Sequence, residues 1–147
     1  MRATAVALTL ALVAPVSAAD DEVVKVKPEQ IYIDLTLTRR LPPAQRPAAE
    51  KQVYDTAEKV WKKKFEGKVC EVNGKVFHRG TGEARDKEMT VSLPVSSTKT
   101  SQVYVSFRDP QKGISLNKVY TIRGTAEIER DGNIPHLILK DAEIVTK

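Results

Sequence analysis

The chain has 147 residues, a net charge of +5 and one cysteine, Cys70. A single thiol excludes an internal disulfide, so the core alone must hold the fold, and the length suits one domain with an extension. The basic excess is local: residues 39–68 hold nine basic and four acidic side chains, residues 69–147 hold twelve and ten, and residues 20–38 hold two and five.

Arg2 followed by the apolar run Ala3–Pro15 and the small residues Val16-Ser17-Ala18-Ala19 predicts a signal peptide over 1–19. The run is too short to span a bilayer, and no later stretch reaches the roughly 20 apolar residues a span needs, so no transmembrane segment is expected once the leader is removed. The mature chain is then periplasmic or secreted. Residues 20–46 form an N-terminal arm. Asp20–Lys27 has no strong pattern and reads as loose. Ile31, Ile33, Leu35 and Leu37 alternate and predict a strand over Ile31–Thr38, with Pro28-Glu29 as the competing start of a short helix. Pro42, Pro43 and Pro47 mark a linker.

Residues 47–147 form the main unit. Ala48–Phe65 predicts one amphipathic helix with Val53, Ala57, Val60, Trp61 and Phe65 as its apolar stripe, ended by Gly67. From Lys68 the period changes to two. Five strands follow: Lys68–Arg79 with Gly74 inside it, Met89–Val95, Val103–Phe107, Tyr120–Ile128 with Gly124 inside it, and Leu137–Val145. The Asp131-Gly132 turn lies before the last. Glycines inside two of these strands predict the bends of a small closed barrel. The fold class is mainly β: a five-stranded barrel preceded by one helix.

Three segments carry a family resemblance. Phe65–Val76, Val119–Ala126 and Leu137–Val145, the last reading LILKDAEIV, resemble in order the opening, fourth and closing strands of tRNA-anti-like OB-fold domains. The resemblance covers roughly residues 50–145 and implies a ligand-binding OB-type barrel, often found in exported proteins. Residues 31–38 have no counterpart in it.

The residues give no support for an enzyme, a metal or a cofactor. His78 and His136 lack neighbours at ligand spacing and read as surface residues. Gly80-Thr81-Gly82 lacks the strand-to-helix setting of a phosphate loop. Glu127 and Glu129 fall on an outer strand face. Cys70 reads as a buried, inert thiol. A non-enzymatic binding module is therefore expected. OB barrels bind on the outer face of their second and third strands, flanked by two loops. That places the candidate groove at Thr90, Ser92, Tyr104, Ser106 and Arg108, with Arg79, Arg85 and Lys87 on one loop and Arg130 and Asn133 on the other. A single aromatic platform, with Glu83, Asp86, Glu88, Glu129 and Asp131 among the basic residues, disfavours nucleic acid and leaves a protein or glycan of the envelope as the expected partner. Nucleic-acid binding through Tyr104 and the basic loops is the alternative. A lysine-rich helix meeting a membrane surface is a third.

Overall fold

A computed structural model describes residues 22–145. The leader expected over 1–19 lies outside them. In chain order the elements are β1 (Val24–Lys25), a 3-10 turn (Pro28–Gln30), α1 (Thr36–Arg39), α2 (Arg46–Lys64), β2 (Val69–Arg79), a second 3-10 turn (Gly82–Ala84), β3 (Glu88–Pro94), β4 (Thr100–Phe107), β5 (Val119–Asp131) and β6 (Ile134–Ile144).

The five long strands alternate strictly enough to give one apolar face each. Cys70, Val72 and Val76 on β2 point inward, with Met89, Val91 and Leu93 on β3 and Val103, Val105 and Phe107 on β4. Ile122, Ala126 and Ile128 on β5 and Leu137 and Leu139 on β6 complete the interior, all buried. A single sheet runs β2-β3-β4-β6-β5 and closes on itself through β5 and β2. The long antiparallel β5–β6 hairpin folds over so that β6 meets β4 in parallel, Tyr104 opposite Ile138. Closure leaves few free edges, β1 covering the start of β2, and this strand order makes the barrel OB-like.

The two strand glycines are where the wall bends. A Cβ on Gly74 would lie 2.6 Å from Val91 Cγ1 and 2.7 Å from the Ser92 carbonyl oxygen. On Gly124 it would lie 2.8 Å from the Lys140 carbonyl oxygen. Opposite Gly124 the β5–β6 register slips, and Asp141 takes up the extra length at φ 47°. Glycine permits both close approaches, as the sequence pattern anticipates.

Helix α2 begins two residues earlier than the pattern predicts, with Pro47 in its first turn, where the missing amide hydrogen costs nothing. Trp61 and Phe65 enter the barrel end, and the Trp61 indole donates to the Gln30 carbonyl at 3.0 Å. Gly67, at φ 75°, then turns the chain into β2.

The arm departs from expectation. No strand forms over 31–38. Asp34 instead accepts from the Thr36 amide at 2.9 Å and from the Thr36 hydroxyl, starting the single turn of α1. That local side-chain bond competes with an extended backbone, and here the turn forms. The strand lies earlier, in the stretch read as loose: Val24 and Lys25 pair in parallel with Cys70 and Glu71. The Val26 amide donates to Glu71 O at 2.9 Å, and the Ser101 hydroxyl reaches Pro28 O at 2.9 Å. With Val26 and Ile31 buried, the arm crosses from β2 to β4 and forms part of the barrel wall.

Candidate functional site

One feature of β2 decides what the outer face displays. Its inward alternation holds from Cys70 to Val76, and then the pairing with β3 slips between Val76 and His78. The slip inserts Phe77 as an extra residue, a bulge that re-aims the chain beyond it. His78 therefore pairs with Thr90 on the outside and not with the interior, and Arg79 pairs with Met89. Thr90 in turn faces Tyr104 across the β3–β4 ladder.

The result is a groove of about 370 Å³ on the barrel's outer face, crossing β3, β4 and β6. Its centre is Tyr104. The tyrosine ring meets His136 edge to face, with centroids 4.9 Å apart and planes at 86°. This contact fixes the ring without covering it, since Tyr104 stays 37% exposed. Thr90, Ser106 and Ile138 form the floor beside it, and His78, Glu88 and Glu129 stand at the margin. Lys140 pairs with Glu129 at 3.6 Å, so the charge across the groove is close to balanced. The arrangement offers one ring surface, one aliphatic patch and several hydrogen-bonding side chains. It holds no nucleophile with a positioned base, and no group of three metal-ligating side chains exists among the described residues.

Of the residues that the sequence places at the site, Thr90, Tyr104 and Ser106 line the groove. Ser92 lies further along β3, above a separate depression beside Gly74 and Pro94. Arg108, Arg85 and Lys87 are exposed but outside the groove, and Asn133 is exposed on the β5–β6 turn. Two arginines are committed elsewhere. The bulge turns Arg79 away, and its guanidinium donates to the Ile114 carbonyl and lies 3.5 Å from Asp86. Arg130 reaches back to Asp55 and Glu58 on α2. That network, with Lys51 on Asp55 and Lys62 on Glu58, holds both carboxyls below the usual carboxylate range; the lysine hydrogen bond is the larger cause in each.

His78, His136, Ile138 and Lys140 escaped the sequence reading of the groove. His136 is half-buried against Tyr104, not the free surface side chain expected. Its signal was the alternation of β6, which puts His136, Ile138 and Lys140 on one outward face; the parallel contact with β4 is what brings that face to Tyr104. Cys70 is buried as expected, and burial pushes its thiol up to about 11.

The fold and groove define a closed, five-stranded OB-like barrel with a helix ahead of it. No family model matches the chain, and no curated protein is similar to it. Among solved structures, the chain is similar to a lipoprotein of Klebsiella pneumoniae subsp. pneumoniae that has been supposed to bind nucleic acid. The two share 21% identity over 76% of this chain and 85% of that one, at a TM-score of 0.37. At that TM-score the class rests on this chain's own strand order.

Proposed function

We propose that this chain is an exported, non-enzymatic binding module of the tRNA-anti-like kind, and that its outer-face groove takes an uncharged glycan of the envelope. The observation that carries the reading is the Tyr104–His136 pair set among balanced charges. A sugar ring stacks its C–H face on an aromatic ring and presents hydroxyls to side chains such as Glu88, Thr90, Ser106 and His78. A phosphate chain needs free cations along its path. Here Arg79 and Arg130 are held by carboxylates or carbonyls, and Glu88 and Glu129 stand at the groove. That arrangement favours a neutral ligand over nucleic acid. Nothing in the groove recommends catalysis, so binding is the whole of the proposed activity.

Calorimetric titration with an N-acetylated cell-wall oligosaccharide tests this. Binding that changes little with salt is expected, and Tyr104→Ala should weaken it about tenfold, the worth of one aromatic contact. No binding, or equal binding by Tyr104→Ala, overturns the reading. Binding of a single-stranded oligonucleotide that falls steeply with salt would install nucleic acid in its place.

A further inference from the structure

Two of the three acidic residues of α2 lie together on one side of it. Asp55 and Glu58 face the β5–β6 hairpin, bound to Arg130, Lys51 and Lys62. Away from them lie Val60, Lys63 and Lys64, all exposed; Lys59 is exposed on the flank one turn after Asp55, and Lys68 follows just beyond the helix. None of these four lysines makes an ion pair among the described residues. Val60, Lys63 and Lys64 share one helical face by their spacing. They border an open depression of about 540 Å³ floored by Val24, Val60 and Phe65 and rimmed by Lys63, Lys64 and Lys68. Val60 leaves 40% of its surface open there. Glu22 borders the adjoining depression with Val24 and Lys68, and among the described residues neither it nor Glu66 forms an ion pair with a lysine.

We propose that this face docks on an anionic phospholipid surface. Two observations choose that occupant. First, an apolar floor inside a lysine rim matches a bilayer interface, where acyl chains lie below a layer of phosphates; long lysine stems can lie along the apolar floor while their ammonium groups meet the phosphates. Second, the chain enters the described structure on this same face. Glu22 lies beside Val24 and Lys68. The apolar run ends at Pro15, seven residues earlier, which is at most about 25 Å of extended chain. On the reading of residues 1–19 as a leader, that tether brings this face within reach of the headgroups, and the lysines keep the attraction once the leader is removed. The proposed contact is with the surface of the bilayer; no helix among the described residues is long and apolar enough to cross a membrane.

The test is co-sedimentation of the chain from Asp20 onward, which carries every buried core residue described, Val26 to Ala142. Vesicles of phosphatidylglycerol with phosphatidylcholine are compared with pure phosphatidylcholine. The protein should bind only the anionic vesicles and leave them at roughly 0.5 M salt, where screening is short-ranged. Lys63→Gln/Lys64→Gln/Lys68→Gln should weaken binding about a hundredfold, about fivefold for each lysine near the surface. Lys75→Gln/Lys112→Gln/Lys118→Gln removes the same charge towards the other end of β2 and should change binding less than about twofold. All six side chains are exposed, so circular dichroism should show both variants folded. Equal losses in the two triple variants, or indifference of the wild type to phosphatidylglycerol, overturn the proposal. So does binding of an oligonucleotide through these lysines while the vesicles are ignored.

Discussion

Gly124 sits at the register slip between β5 and β6, and the atom that a Cβ would strike is backbone, the Lys140 carbonyl oxygen at 2.8 Å. A backbone oxygen in a paired strand cannot swing aside. Gly124→Ala should therefore cost about 1–3 kcal/mol by forcing the register slip apart. Gly113→Ala, with open space around its Cβ, should stay within about 0.5 kcal/mol. Urea denaturation of the two variants measures both. Cys70 gives a second expectation at this scale. Burial raises its thiol from 9.0 to about 11, and only the neutral thiol is at home among Phe65, Val72 and Ile122. The stability this contributes is fully present below 9.0 and is lost as pH rises from 9.0 through about 11. Maleimide should leave the native protein unlabelled at pH 8 and label it once it is unfolded. The bend at Gly124 and the burial of Cys70 were both legible in the sequence, because inward alternation passes through each. The fate of Arg79 was not. It depends on a one-residue bulge, and Val76-Phe77-His78 carries no glycine or proline to announce it.

The helix and the hairpin are the elements that must be fastened. Trp61 and Phe65 supply the apolar contact, and Arg130 supplies the polar one by bridging Asp55 and Glu58. Both carboxyls are held low, so their contribution is present above the ordinary carboxylate range and is lost as pH falls through their depressed folded values. Arg130→Ala should lower the Tm at pH 7, and the deficit should vanish in acid, where the carboxyls are protonated in wild type and variant alike. A deficit that persists unchanged in acid would mean the arginine acts by packing alone. Periodicity located α2 and its buried stripe, but it assigned Arg130 to a ligand-binding loop. Nothing local to Glu129-Arg130-Asp131 points to partners on α2, more than 70 residues earlier in the chain.

At the scale of the whole molecule, the barrel depends on its arm. Val26 and Ile31 are buried, Trp61 donates to Gln30, and Ser101 donates to Pro28. A chain beginning at Tyr32 loses all four contacts and uncovers one edge of β2 at Cys70–Glu71. Two aliphatic side chains contribute about 1.5–3 kcal/mol each, a large share of the stability of a domain this size. A thermal melt should show a markedly lower Tm and a broader transition; an unchanged melt would reduce the arm to decoration. The sequence made the barrel readable because five strands repeat the same alternation. The two-residue strand β1 is too short for a period to show, and the alternation over 31–38 offered a better strand that the fold does not use.

The parallel pairing of β1 with β2 also sets an order of events. A ribosome releases the arm first, yet its partners come much later: Trp61, Cys70 and Glu71, and last Ser101. Until Glu71 has been made, β1 has no strand to pair with. It is the first segment delivered and among the last to be placed, and closing so long a loop is slow. Until β2 and the start of β4 are in place, the partners that hold Val24–Pro28 do not exist, so the arm is the part of this fold whose placement must wait on distant chain.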